Sequence, residues 1–102
     1  MIIVQGVFRV AAENREQFLA ESLENQRISR SERGCIEYVM AADPVEADRI
    51  VLSERWETRS DLDAHIEALT ARRAQAAENA TVRVRPSHRE VNFFEANQVD
   101  IP

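Results

Sequence analysis

The alternation of apolar and polar positions along the chain predicts two helices and four strands. The first strand spans Met1 to Val10 and carries β-branched residues on both faces of its pleat, a pattern typical of a strand that is covered on both sides. Apolar residues at three- and four-residue spacing, with glutamates on the opposite side, then predict a helix over residues 13–31. Gly34 follows as a residue that tolerates positive φ, so the chain is expected to turn there.

Two further strands are predicted in the middle of the chain, joined by a turn at Asp43 and Pro44. In the strand over residues 35–42, one face holds Ile36, Tyr38 and Met40, and the other holds Cys35, Glu37 and Val39. In the strand over residues 49–57, one face holds Ile50, Leu52, Glu54 and Trp56.

A second helix is predicted to begin at Ser60 as its N-cap, with Asp63 three residues later as a variant of the capping box. Its apolar stripe consists of Leu62, Ile66 and Leu69. Arg73 would lie inside this stripe if the helix ran straight. Either the helix breaks near Thr70, which we expect, or Arg73 points into a cavity or a subunit contact.

A last strand is predicted over residues 81–94. Pro86 lies within it, and proline cannot donate a hydrogen bond to a ladder. This segment is therefore expected to be an edge strand or to bend at that position.

The order β-α-β-β-α-β predicts an α+β domain of the ferredoxin-like type. One domain accounts for residues 1–102, with a core over about 2–94 and a tail over 95–102. Two helices can cover only one face of the sheet, yet its strands carry apolar residues on both faces. Because soluble monomers avoid large exposed apolar patches, we expect a homodimer whose two sheets pack face to face.

Composition narrows the classes of function. All 13 basic residues are Arg, against 18 acidic residues, so the net charge is −5 and nucleic-acid binding is not expected. The absence of Lys excludes Schiff-base chemistry, and two glycines exclude a Gly-rich phosphate loop. Cys35 stands alone and is interpreted as a small buried hydrophobe. No membrane span or signal peptide is apparent, so a cytoplasmic protein is expected.

Four residues carry the candidate chemistry. His65 lies at the margin of the apolar stripe of the second helix, where an imidazole reaches a pocket or serves as a half-buried structural histidine. Trp56 and Tyr38 are either core residues or the wall of a site for a flat organic ligand. Glu54 is either a base with a raised pKa or the partner of an arginine across the dimer. His88 is expected at the surface, and without HxxxH or CxxC spacing no metal site is predicted.

Three segments of the chain form a recognisable combination of motifs. They are Gly34–Tyr38, Leu52–Glu57 and Ser60–His65. They resemble the antibiotic biosynthesis monooxygenase (ABM) family, which includes quinol monooxygenases. The most specific part is the run E-x-W-x(5)-L-x-x-H from Glu54 to His65, and the similarity extends over about Ile2 to Val91.

The resemblance implies a dimeric α/β barrel with a pocket between the sheet and the helices of each subunit. Trp56, Tyr38 and Glu54 are then substrate-binding residues, and His65 at the rim is the catalytic base. Oxygenases of this type use no metal, flavin or haem, because their phenol or hydroquinone substrate reacts directly with O2 once it is deprotonated. The implied partners are a small molecule, O2 and a second copy of the chain.

A haem-degrading branch of the superfamily uses an Asn on the first strand, a Trp on the second helix and a later His. Here the corresponding positions offer Gln5 and Gly6, His65, and Gln75, so haem degradation is not expected. Three functions stay open: a cofactor-free monooxygenase, a proton-transfer isomerase of a small carbonyl compound, and a non-catalytic dimeric binding domain. Whether the C-terminal tail crosses to the partner subunit also stays open.

Overall fold

The strands and helices follow one another in the predicted order β-α-β-β-α-β. A computed structural model describes residues 1–79 and 82–102. Its elements are β1 (Ile2–Arg9), a 3-10 turn (Ala12–Asn14), α1 (Arg15–Ser31), β2 (Cys35–Ala42), β3 (Arg49–Trp56), α2 (Arg59–Glu78) and β4 (His88–Glu95). The α+β ferredoxin-like prediction is confirmed.

The four strands form one antiparallel sheet in the order β2-β3-β1-β4. β1 is central and pairs with β3 so that Ile2 lies opposite Trp56 and Phe8 opposite Ile50. Side chains alternate between a buried face, which the helices cover, and an open face. The core lies between the helices and the buried face, and its members are Ile2, Val4, Phe8, Val10, Tyr38, Ile50, Leu52, Trp56 and Leu62.

An irregularity at the start of β2 changes which of its side chains face the core. Cys35 pairs with Trp56, but the next pairing joins Glu37 to Arg55, so the register shifts between Cys35 and Glu37. Such a bulge turns one extra residue out of the ladder. Cys35 therefore packs against the core, and Ile36 is 44% exposed. The prediction that Ile36 shares the face of Tyr38 is wrong for this reason.

The second helix begins earlier and runs further than its sequence predicted. The N-cap is Thr58, whose hydroxyl accepts a hydrogen bond from the backbone N–H of Asp61, and not Ser60. The helix continues through Thr70, whose hydroxyl bonds to the carbonyl of Ile66 within the helix, and ends at Glu78. The predicted break is therefore wrong.

The inward face of α2 also differs from the predicted stripe. His65 is buried whereas Ile66 is 41% exposed, so the inward face is rotated toward His65 while Leu62 stays buried. The same rotation turns Arg72 inward and leaves Arg73 exposed. Arg72, the neighbour of the arginine that the sequence singled out, finds polar partners beneath the helix.

The last strand is shorter than predicted. Thr81, its predicted first residue, lies outside the described residues, and β4 begins only at His88. Pro86 precedes the strand, consistent with its lack of an N–H donor. The segment before the strand instead packs on α1, where the backbone N–H of Val84 donates to a carboxylate oxygen of Glu21 at 2.9 Å.

The open face of the sheet mixes apolar and polar side chains. Its centre holds Val7 and Val51 beside Gln5 and Ser53, around a concavity of about 400 Å³. This composition is more polar than the large apolar patch that the strand pattern predicted. In the described part of the chain, none of the helices combines the length and apolar character that a membrane crossing requires.

Candidate active site

The four predicted site residues come together between the sheet and α2. Tyr38 comes from β2, Glu54 and Trp56 come from β3, and His65 comes from α2. Each of the four is buried. The arrangement follows from local geometry, since residues two apart on a strand share a face and the pairing of β2 with β3 places Tyr38 opposite Glu54.

The imidazole of His65 lies against the two aromatic side chains. Its ring centroid is 4.6 Å from that of Trp56, with 32° between the ring planes, and 5.5 Å from that of Tyr38. Only 3% of His65 is exposed. The predicted position at the rim of a pocket is therefore wrong, because α2 is rotated so that the ring is enclosed between helix and sheet.

Two carboxylates face the two ring nitrogens of His65. Nδ1 lies 2.7 Å from Oε1 of Glu32, the C-cap residue that follows α1. Nε2 lies 3.8 Å from Oε1 of Glu54. The first distance is that of a short, charge-assisted hydrogen bond, whereas the second is longer than a direct hydrogen bond.

Glu54 is a buried carboxyl group with one strong donor. Its Oε1 accepts a hydrogen bond of 2.9 Å from Nε1 of Trp56. Burial raises the pKa of Glu54, and the Trp56 hydrogen bond and the charge of His65 offset only part of that effect. The raised pKa that the sequence suggested for this residue thus has a structural cause, and its neighbours within the subunit are Trp56 and His65.

Two further polar side chains, those of Arg72 and Asn25, hold Tyr38 and Glu32 in place. Arg72 donates from Nη2 to Oδ1 of Asn25 at 2.8 Å, and Nδ2 of Asn25 donates to the Tyr38 hydroxyl at 3.0 Å. Nη1 of Arg72 lies 3.8 Å from Oε2 of Glu32. Burial, followed by the charge of Glu54, raises the pKa of Tyr38, so its hydroxyl keeps its proton at neutral pH.

Sequence reasoning missed Glu32, Asn25 and Arg72. Each belongs to a helix or a helix end rich in charged residues, where nothing in the local pattern separates it from its solvated neighbours. The one available signal was the arginine expected inside the stripe of α2. It pointed to Arg73, one residue away from the side chain that faces inward.

Cys35 and His88 are other residues that the sequence singled out. Burial, together with the charges of Glu54 and Glu32, raises the pKa of the Cys35 thiol, so it is not an activated nucleophile. His88 is exposed. Among the described residues, no group of three or more His, Cys, Asp or Glu side chains is arranged to hold a metal ion.

A groove between α2 and β4 adjoins the buried cluster. It has a volume of about 510 Å³, and the residues that line it are Ile2, Arg59, Leu62, Asp63, Ile66, Phe93, Phe94 and Glu95. Ile2 lies opposite Trp56 in the sheet, and Leu62 is one helical turn before His65. We name this feature the α2–β4 groove. Its lining does not include Tyr38 or Trp56, so substrate contact by those residues stays a prediction.

The chain is similar to a known family and to two known proteins. Residues 1–77 match the family described as "Antibiotic biosynthesis monooxygenase". The "Putative monooxygenase YcnE" of Bacillus subtilis is 31% identical over 67 residues, which cover 66% of this chain and 70% of that protein. The uncharacterized protein sll1783 of Synechocystis is 36% identical over 66 residues, but these are 65% of this chain and only 45% of that protein.

The fold is shared with solved structures of similar size. The crystal structure of a "putative antibiotic biosynthesis monooxygenase" from Deinococcus radiodurans superposes with a TM-score of 0.81. The superposition covers 100% of this chain and 98% of that one at 18% sequence identity, a level that supports the fold alone. Together with the sequence match over residues 1–77, these findings show that the chain belongs to the antibiotic biosynthesis monooxygenase family.

Proposed function

We propose that this protein is a cofactor-independent monooxygenase that acts on a small aromatic or quinol-type molecule. The observation that carries the proposal is the buried His65, held between the carboxyl groups of Glu32 and Glu54 and stacked on Trp56. A titratable ring enclosed by carboxyl groups and aromatic walls is suited to removing a proton from a phenol and keeping the resulting anion away from water. The family and the monooxygenase name of a relative agree with this chemistry.

The reaction needs only the substrate and O2. His65 removes the phenolic proton, and the electron-rich phenolate carbon reduces O2 and bonds to it, giving a carbon-bound hydroperoxide. Cleavage of its O–O bond leaves one oxygen atom as a new carbonyl and releases the other as water. A hydroquinone thus becomes a hydroxyquinone, with all four electrons that reduce O2 taken from the substrate.

The α2–β4 groove is the proposed binding site for the aromatic ring. Its volume of about 510 Å³ lies within the range of small-molecule sites, and its lining combines apolar side chains with three charged ones. Leu62 lines the groove and lies one helical turn before His65, so we expect a rearrangement at Leu62 to open the path between the groove and the ring. Tyr38, Glu54 and Trp56 then surround the reacting oxygen as the predicted substrate-binding residues.

The test is O2 consumption by the purified, metal-stripped protein with a panel of hydroquinones and polyphenols. We expect uptake above the rate of autoxidation, and we expect His65→Ala to reduce it by about 10²-fold or more, the contribution typical of a general base. His88→Ala is the matched control, because His88 is exposed on β4.

Each outcome decides between the functions that the sequence left open. Uptake that survives His65→Ala keeps the oxygenase but places the base at another residue. Absence of uptake with every panel member contradicts the oxygenase. Proton exchange into a small ketone or aldehyde would then support the isomerase, and binding without either reaction would support a binding domain.

We further propose that the protein is a homodimer in which the open faces of two sheets pack together. Val7 and Val51 supply apolar contact area, while Gln5 and Ser53 supply hydrogen-bonding groups around the central concavity. A mixed face of this kind is compatible with a protein interface, whose apolar fraction is on average close to that of the rest of the surface.

A further inference from the structure

We propose that Glu32 is a positioning residue that fixes which nitrogen of His65 carries its proton. The spatial relation is direct, since Oε1 of Glu32 lies 2.7 Å from Nδ1. An ionised carboxylate can only accept a hydrogen bond, so Nδ1 must be the donor. The catalytic part of this inference rests on the proposed oxygenase, whereas the assignment of the proton does not.

Glu32 is itself held firmly. It is the C-cap residue of α1, and its backbone N–H donates to the carbonyl of Ser29 at 3.1 Å. Its second oxygen, Oε2, faces Nη1 of Arg72 at 3.8 Å, and Arg72 is anchored in turn on Asn25. The carboxylate therefore reaches the ring from a fixed direction, with one oxygen for His65 and the other for Arg72.

Fixing the proton on Nδ1 leaves the lone pair of His65 on Nε2. This nitrogen points toward Glu54, whose Oε1 is 3.8 Å away and hydrogen-bonded to Trp56 instead. Nε2 is consequently the nitrogen that accepts the substrate proton. Without Glu32, the tautomer with its proton on Nε2 becomes the more stable one, because that proton points toward the carboxyl group of Glu54. A ring with its proton on Nε2 cannot accept the substrate proton at that nitrogen.

The position of Glu32 argues against a purely stabilising role. The C-terminal end of α1 carries the partial negative charge of its free carbonyls, so a carboxylate is the less favourable charge there. The carboxyl group of Glu54 on the other side of the ring adds to the same repulsion. A short contact to His65 under these conditions is better explained by the orientation that it imposes.

The first test is the tautomer of His65, measured by long-range 15N–1H correlation NMR over a range of pH that includes the neutral ring. The chain has two histidines, and His88→Gln assigns their signals. We expect the wild type to show the Nδ1–H form and Glu32→Ala to show the Nε2–H form. Glu24→Ala, which changes an exposed glutamate on the same helix, is the control and retains the wild-type signals.

The second test is steady-state oxygen uptake with a panel member that the wild type oxidises. We expect Glu32→Ala to lower kcat at least about tenfold with little change in KM, because orientation of the base acts on the chemical step. A loss of fold would lower the fraction of active enzyme, and circular dichroism on the same samples measures that fraction.

The outcomes separate this inference from the proposed function. A wild-type ring in the Nε2–H form overturns the inference without any variant, and so does a Glu32→Ala ring that stays in the Nδ1–H form. If the wild type consumes no oxygen, the oxygenase fails, while the NMR result still decides the role of Glu32. A changed tautomer with an unchanged kcat overturns the catalytic part alone.

Discussion

Glu54 is a candidate site residue whose ionised form lowers the stability of the folded protein. Burial raises the pKa of its carboxyl group above the ordinary value of 4.5. The folded state therefore binds the Glu54 proton more tightly than the unfolded state does, and this linkage favours folding at low pH. As pH rises from the ordinary pKa to the raised one, that contribution to the free energy of unfolding is lost.

Glu54→Gln is expected to make the protein more stable than the wild type at neutral pH. The amide keeps the size of the side chain and an oxygen for the Trp56 indole N–H, but it has no charge to bury. The gain should be absent near pH 4, grow as pH rises above the ordinary pKa and then level off. Urea denaturation at several pH values measures this, and a variant that loses stability at neutral pH would contradict it.

Most residues of the candidate site, but not all of them, could be predicted from the sequence. Tyr38, Glu54, Trp56 and His65 were predicted to form a site, and the structure brings them together because strand alternation and pairing fix three of them. Glu32 was not predicted, since it contacts His65 across 33 positions of sequence through a turn that no local pattern describes. Contacts of that kind depend on how two helices end and begin, and periodicity alone does not determine this.

At the scale of single elements, the rotation of α2 decides which of two adjacent arginines supports the site. Arg72→Met is expected to lower the free energy of unfolding by about 1–3 kcal/mol, because it removes the charged hydrogen bond to Asn25 and leaves Glu32 with His65 as its one remaining partner in this cluster. Arg73→Met is the matched control, and being exposed it should change stability by no more than about 0.5 kcal/mol. Equal effects of the two substitutions would contradict the observed rotation.

The turn from α1 into β2 depends on Gly34. Its φ is +78°, and a Cβ at this position would collide with the side chain of Asp61 at the start of α2. Gly34→Ala is therefore expected to cost more than the roughly 1–2 kcal/mol of left-handed backbone alone. Gly34→Asn tolerates this backbone better but meets the same collision. If Gly34→Asn had the thermal stability of the wild type, the expected collision with Asp61 would be contradicted.

Element boundaries show why the fold was predicted more accurately than its details. The order of elements follows from periodicity, and all six predicted elements exist. The errors at Ile36 and Ile66 are both shifts of one residue, from a bulge in β2 and from the rotation of α2. A shift of one residue exchanges inside for outside, and it arises from packing between elements that a single sequence does not reveal.

At the scale of the whole molecule, the open face of the sheet predicts the oligomeric state. Val51→Glu places a charge on that face and is expected to convert the proposed dimer to a monomer in analytical ultracentrifugation. Val45→Glu makes the same change at a site that is 88% exposed in the β2–β3 turn, and it should leave the dimer intact. A monomeric wild type, or a dimeric Val51→Glu, would contradict face-to-face packing.

The stacking of Trp56 on His65 has a consequence for how the protein is observed. Trp56 is the only tryptophan in the chain, it is fully buried, and the imidazole lies against it. All of the indole fluorescence therefore originates at the candidate site. Because excited indole is sensitive to the groups that it touches, the brightness of the unmodified protein reports directly on changes at this site, such as the arrival of a ligand.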